Sequence, residues 1–394
     1  MRNYLVLLYV VSVFDLFYLT PFSLYADIYI QIFSLLGLLN FVLFRLYKKL
    51  VVRFVFIAVM TLILTSVLSS NLFLNQDLLS SLIATQHVFK GFSVIYIYYL
   101  IEKKKINIDK ILMFLIKVMW IYTLFIVFAS LTDFSFVFKS PVSGNELLIT
   151  ANKFQKDLLY FGQIYYLAKY LTSKKSINLF NISIIFISTQ LYDIQRGDII
   201  FLILTFFITI YLFRRYFSAF RIISLGFAST FIIGILAFSE ISEDIFQKFN
   251  QATLVFSDEK IIQDPSIFVR LNEAVFALDG FSNHPFTGNG LIRGSKKTEL
   301  IGDIYFYPAD IGIIGVMYSF GIIGLYMLIK FFRKIYVIDR FKLNFISLGL
   351  YLYLIYSFLY SIKDGQIIFQ PARFLLCYLL IYTAIKLNNI KSLD

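Results

Sequence analysis

Charge is scarce in this sequence. Asp, Glu, Lys and Arg make up 15% of 394 residues, against about a quarter in a soluble globular chain, which excludes an ordinary water-soluble domain. There is one cysteine, Cys377, and it lies inside a hydrophobic run, so no disulfide framework is available and packing has to hold the fold. No acidic cluster has the spacing of a metal site, and only scattered acids such as Asp198 and Asp303 leave a metal open. Internal repeats and low-complexity segments are absent. The first residues, MRNYLVLLYVVSVFDLFYL, have the charge and apolar run of a signal peptide but lack a small-residue cleavage site and lead into further apolar runs. They read as a first helix.

What the chain has in abundance is hydrophobic residues, 59% of the total. Buried core helices need apolar runs of about 10 to 14 residues, whereas runs near 20 recur along the whole length, as a polytopic membrane protein requires. Runs at 4–20, 28–46, 53–73, 80–101, 111–131, 158–171, 177–192, 199–213, 219–239, 309–332, 343–362 and 373–387 predict about twelve spans. The shortest, 158–171, carries Gln163. The 36 Lys and Arg outnumber 24 acids but sit in short clusters between spans, so they read as topology signals and not as a nucleic-acid surface. Arg45, Lys48, Lys49 and Arg53 follow the second span, Lys103, Lys104, Lys105 and Lys110 the fourth, and Lys174 and Lys175 the sixth. Arg214, Arg215 and Arg221 follow the eighth, and Arg333, Lys334, Arg340 and Lys342 the tenth. Every even joint is basic, which predicts both termini in the cytoplasm; without the run at 158–171 the alternation would fail. The expected organisation is nine spans in 1–239, a large outer loop in 240–308 and three spans in 309–394. Aromatic residues, 19% of the chain, suit interfacial belts at span ends.

Polar chemistry concentrates in the odd, outward joints. One carries Gln195-Arg196-Gly197-Asp198, another Lys363, Asp364 and Arg373, and the long loop Arg270, His284 and Arg293. Arg196 also has a plainer reading as a snorkelling anchor. Within the fourth run, His87 and Lys90 share a helix face, and on a straight helix Lys90 lies about 15 Å beyond Leu79. A charge at that depth has to face the bundle interior or a wet cavity, with Asp15 as the expected partner. A purely structural ion pair is the competing reading. Lys117 lies near enough to its span end to snorkel.

In the long loop, Ser266 to Asp279 reads as a helix with Ser266 as N-cap, an apolar stripe of Ile267, Leu271, Ala274, Val275 and Leu278, and Gly280 as terminator. It is expected on the membrane surface or on the bundle, with Arg270 and Glu273 projecting from its flank. In His284-Pro285-Phe286-Thr287-Gly288-Asn289-Gly290, two glycines permit close backbone approach to a neighbour. Pro308 is expected to start the tenth span with Asp310 in its first turn, where the helix dipole favours a carboxylate.

Arg270 followed by Ala274, then Pro285, Gly288-Asn289-Gly290 and Gly321-Ile322-Ile323-Gly324-Leu325, resembles the long periplasmic loop and following helix of the O-antigen polymerase and O-antigen ligase superfamily. Gln195-Arg196-Gly197 is similar to that family's Ser-Arg-Gly motif. The likeness covers the C-terminal half by motif and the N-terminal half only by hydropathy. It implies an all-α polytopic fold of GT-C-like architecture in the bacterial cytoplasmic (inner) membrane, without a cofactor. It also implies a glycosyltransferase that moves a glycan from a polyprenyl-diphosphate-linked oligosaccharide to a hydroxyl, among membrane lipids, with a chain-length regulator and a flippase as partners and no nucleic acid. Arg196 and Arg270 would then bind the leaving diphosphate, since a guanidinium pairs with phosphate oxygens in a fork and keeps its proton.

One departure bears on the base. Many ligase-like members carry a His-Asn pair eleven residues before the glycine that is Gly321 here, and this chain has Asp310-Ile311. Asp310 is therefore the expected general base, its pKa lifted by partial desolvation, with His284 as the alternative. Arg293, Lys363, Arg373, Lys90 and His87 are the expected substrate-binding residues, and no metal is assigned. The missing His-Asn pair favours polymerase over ligase. A flippase or other transporter would distribute charge through the helix cores, and a scaffold would not need the outer arginines.

Overall fold

A computed structural model of the chain describes residues 2–14, 23–104, 108–132, 136–139, 146–149, 157–192, 196–212, 265–293, 306–338 and 343–391. Apart from one antiparallel hairpin, β1 (Phe136–Lys139) and β2 (Glu146–Ile149), the elements are helices. They are α1 (Arg2–Val13), α2 (Ser23–Leu43), α3 (Leu50–Leu74), α4 (Leu78–Ala84), α5 (Gln86–Phe89), α6 (Ser93–Lys104), α7 (Ile108–Thr132), α8 (Asp157–Ser173), α9 (Ile177–Tyr192) and α10 (Arg196–Leu212). After residue 264 come α11 (Pro265–Asn283), α12 (Gly312–Tyr336), α13 (Phe345–Tyr360), α14 (Gln366–Phe369) and α15 (Pro371–Lys391).

The bundle turns apolar side chains outward. Ile28, Ile32, Leu35 and Leu39 on α2, Leu64, Leu68 and Leu72 on α3, and Ile322, Tyr326 and Ile329 on α12 recur at helical spacing and are exposed. Stripes of this kind fit lipid and not water, and the protein is an all-α membrane protein. Four stretches are long and apolar enough to cross a bilayer, Tyr25–Leu43, Leu50–Leu74, Ile108–Phe128 and Pro308–Tyr336, with a fifth if α4 and the helices after it count as one. The other described apolar helices are shorter, so the expected twelve spans are not met by length alone. The run expected at 219–239 lies outside the described residues.

The run expected as one span at 80–101 is broken. Helix α4 is bent 55° from the helical stretch Gln86–Lys103, and Lys90–Phe92 is a 3-10 turn. The Thr85 hydroxyl donates to the Leu82 carbonyl at 2.7 Å, a side-chain bond that competes with the helical ladder where polar Gln86, His87 and Lys90 follow. The straight-helix depth expected for Lys90 therefore does not apply.

Residues of the odd joints meet at one end of the bundle. The Gly365 amide donates to the Ala309 carbonyl at 3.0 Å, the Ile313 amide to the Ile362 carbonyl at 3.2 Å, and the Arg293 amide to Gln76 Oε1 at 3.0 Å. Even-joint residues meet at the other end, where Lys49 pairs with Glu102 at 3.2 Å and Lys334 lies 5.2 Å from the Phe54 ring centre.

Helix α12 is broken at Gly321, whose φ of 58° and ψ of −149° interrupt the helix. Only glycine adopts this conformation without strain, and an added Cβ would stand 2.5 Å from the Phe286 carbonyl carbon. The break frees backbone groups, and the 285–290 loop takes them. The Ile322 amide donates to the Pro285 carbonyl (2.8 Å) and the Ile323 amide to Phe286 (3.3 Å), while the Asn289 and Gly290 amides donate to Tyr318 and Ser319 carbonyls at 2.7 and 2.9 Å. The expected close approach of Gly288 and Gly290 is this docking. With φ of 66° and 83°, they leave space that a side chain at Gly288 would take from the Tyr318 carbonyl and one at Gly290 from Ser66 and Ser70 of α3.

Helix α11 is longer than expected and runs through Gly280, which is a packing position and not a terminator. A Cβ there would stand 2.6 Å from the Tyr318 ring. The face against α12 is Glu273, Ala277 and Gly280. The predicted stripe, Leu271, Val275 and Leu278, points away from the bundle.

Candidate functional site

Two adjoining cavities open at the odd-joint end. The smaller, about 60 Å³, is lined by His87, Lys90, Arg373, Gln366, Gln370 and the tyrosines Tyr353, Tyr356 and Tyr360, among others. The larger, about 410 Å³, lies between Ile83–His87, Leu291–Arg293, Tyr307–Ala309 and Phe369–Gln370, a size typical of small-molecule sites. His87 and Gln370 line both. Four expected binding residues from three separate segments, His87 and Lys90, Arg293, and Arg373, are thus brought together.

Each is held by its element. Lys90 sits in the 3-10 turn and is buried, and its ammonium donates to Asp27 Oδ1 at 2.8 Å and to His87 Nδ1 at 3.3 Å. Accepting at Nδ1, His87 carries its proton on Nε2. The carboxylate beside Lys90 is Asp27 of α2; the expected partner Asp15 lies outside the described residues. Arg373 enters with the first turn of α15, donates from Nε to the Val13 carbonyl at 3.2 Å and stacks 5.8 Å from the Phe14 ring centre. Arg293 ends a strap along α3 and donates to Ser80 Oγ at 3.4 Å. Lys363 lies 5.3 Å over the ring of Tyr360, which lines the smaller cavity.

A second group lies where α11 meets the start of α12. Asp310 is exposed in the 3-10 turn Pro308–Ile311, and the α-helix begins only after the chain turns at Gly312, with φ of 57°. The span nevertheless starts at Pro308, as expected, with Asp310 in its opening turn, which is 3-10 and not α-helical. Glu273, read from sequence as a surface residue, is buried, and one carboxylate oxygen accepts the Tyr307 amide at 3.0 Å. Burial lifts its pKa and the nearby Asp310 charge adds to this, while the Tyr307 amide and Arg270 oppose it. Arg270 is exposed on the flank of α11. Tyr307 and Ala309 line the larger cavity, so this charged group borders it, although neither cavity is lined by Arg270. The His284 ring stacks on Phe73 of α3, centroids 3.7 Å apart, and lines neither cavity. Arg196 is the first residue of α10, a helix whose Phe201 ring meets Tyr360.

Among the described residues no group of three or more His, Cys, Asp or Glu side chains could hold a metal ion. Sequence reading missed Asp27, Gln76, Gln366, Gln370 and the tyrosine row of α13. It also missed Ser66 and Ser69, which hold the strap, and Ser70, against which Gly290 packs: Ser66 accepts the Leu291 amide at 2.9 Å, and Ser69 donates to the Thr287 carbonyl at 3.3 Å. Their spacing on one face of an apolar span was the available signal. Compared with models of known protein families and with curated proteins, the chain finds no match in either.

Proposed function

We propose that the protein is a polysaccharide polymerase of the O-antigen type. It transfers a glycan from a polyprenyl diphosphate carrier to the hydroxyl of another lipid-linked repeat unit at the outer face of the bacterial cytoplasmic membrane, on a GT-C-like bundle of about twelve spans with both termini inside. The observation that carries this reading is the gathering of Arg293, Arg373, Lys90 and His87 around two cavities at one end of a lipid-facing bundle. Lys90 is neutralised by Asp27, so the two arginines supply the charge that a leaving diphosphate demands, and the resemblance adds Arg270 and Arg196 to that role. Their planar forks fit phosphate oxygens. Asp310, beside the larger cavity, takes the acceptor hydroxyl's proton as that oxygen bonds the anomeric carbon and the carbon–phosphate oxygen bond breaks.

The test is polymer length in cells expressing Arg293→Ala, Arg373→Ala or Arg270→Ala at normal protein level. Loss of polymer is expected, with partial recovery in the lysine variants; undiminished polymer in all three alanine variants overturns the reading. A transporter is the second reading, favoured by the breaks at Thr85 and Gly321, because discontinuous helices often form transport sites. The groups freed at Gly321 are already paired within the protein, which favours the fixed site of an enzyme. Purified protein in vesicles distinguishes them: chain elongation on lipid-linked units supports the polymerase, and accelerated movement of those units across the bilayer without elongation supports the transporter.

A further inference from the structure

We infer that 265–293, expected as part of the large outer loop with its helix on the membrane surface or on the bundle, is a re-entrant element that enters the bilayer and returns, with one face of α11 against lipid acyl chains. The depth follows from hydrogen bonds to two spans. Helix α11 starts down at Glu273, which holds the Tyr307 amide at the outer end of α12. Further along, Gly280 touches Tyr318, and Asn289 Nδ2 donates to the Gly280 carbonyl at 3.0 Å. The turn then pairs with Ile322 and Ile323 at the break. From Gly312 to Gly321 the span descends about 14 Å at 1.5 Å per residue, so the turn lies at that depth. The strap stays at depth along α3, with Thr287 on Ser69 and Leu291 on Ser66, and then returns outward to Arg293 on Gln76 and Ser80.

Irregular backbone at such depth is tolerated only where its polar groups are satisfied within protein. Much of the turn meets that condition: the carbonyls of Pro285, Phe286 and Thr287 and the amides of Gly288, Asn289, Gly290 and Leu291 have partners within the protein. The face of α11 opposite the buried one is apolar apart from Ser282, whose hydroxyl donates to the Asp279 carbonyl at 2.7 Å. Leu271, Val275 and Leu278, one stripe opposite the buried face, are 49%, 62% and 45% exposed, and Phe286 is 72% exposed beside the exposed Ile322. This surface continues into the lipid-facing stripes of α12 and α3. Asp279 and Asn283 stand on a different flank of α11, which assigns them to a wet side.

The test uses the full chain with Cys377, which is buried, reconstituted in bilayers. Single cysteines replace Leu271, Val275, Leu278, Phe286, Asp279 or Asn283, each carrying a bimane label. Brominated acyl chains should quench the first four strongly and the last two weakly, and a charged, impermeant maleimide should favour the last two. Equal maleimide reaction along both flanks overturns the inference. So does absence of both quenching and labelling on the stripe, which would mean a protein covers it. Phe286→Trp gives a second readout: its added emission should be quenched by the same lipids, and unquenched emission overturns the immersion of the turn. Glycan transfer is not part of either measurement, so its failure leaves this result standing.

Discussion

Replacing Gly321 with alanine tests the break in α12 and the loop seated in it. The new methyl would stand 2.5 Å from the Phe286 carbonyl carbon and 2.6 Å from the Pro285 carbonyl oxygen, at a backbone φ of 58°. Forcing a non-glycine residue into this region costs about 1–3 kcal/mol. If the chain instead straightens, the bonds from the Ile322 and Ile323 amides to the loop are lost, at roughly 0.5–1.5 kcal/mol each. The chain takes the cheaper of the two routes, so a loss of about 1–3 kcal/mol is expected. The sole cysteine is a built-in reporter: Cys377 is fully buried, and a thiol-reactive dye lights up only as the bundle opens. At about 1.2 °C per kcal/mol for a chain this large, the midpoint should fall by roughly 1–4 °C. Gly349→Ala is the control, because its Cβ would approach only to 3.3 Å of Tyr165, and its shift should be much smaller. Equal midpoints for wild type and Gly321→Ala would refute the account of the break.

Three further outcomes are expected. Asp27→Asn leaves the buried Lys90 ammonium without its carboxylate, and because Asp27 is 44% exposed water softens a penalty that reaches about 3–5 kcal/mol for fully buried pairs; Lys90→Met should restore part of the lost dye midpoint in the double variant, and an additive double variant would refute the coupling. Glu273 has its folded pKa raised, chiefly by burial, so its contribution is fully present below the ordinary carboxylate range and fades as pH rises through the lifted pKa. Glu273→Gln should flatten that decline while keeping an acceptor for Tyr307, and an unchanged pH profile of the midpoint would count against it. Impermeant thiol reagents applied to intact cells should reach Asp77→Cys and not Lys334→Cys; the reverse pattern would invert the proposed topology.

The helical membrane fold was legible because its signal is local: apolar runs and basic joints need no knowledge of tertiary contacts. The face shared by His87 and Lys90 was legible for the same reason. The partner of Lys90 was not, because Asp27 lies at the start of another helix and only packing brings it close. Glu273 was misjudged since its burial depends on the docking of α11 against Tyr307, whereas the sequence shows only an acid near an arginine. The break in the fourth run was hidden because mean hydropathy averages over the polar residues 85–90 that cause it. At the turn, Gly288 and Gly290 announced close approach, but their target, the interior of a later span, lies beyond what spacing can express.

The docking of 285–290 into α12 also sets an order of assembly. The turn is translated before Gly321, and its other support, α3, has been made long before, with Ser69 and Thr287 separated by 218 positions. Until the following span is in place, the turn lacks its partners at Tyr318, Ser319, Ile322 and Ile323. It can settle into the hydrocarbon only once the following span is in place to accept it, which makes this seating a late step of folding.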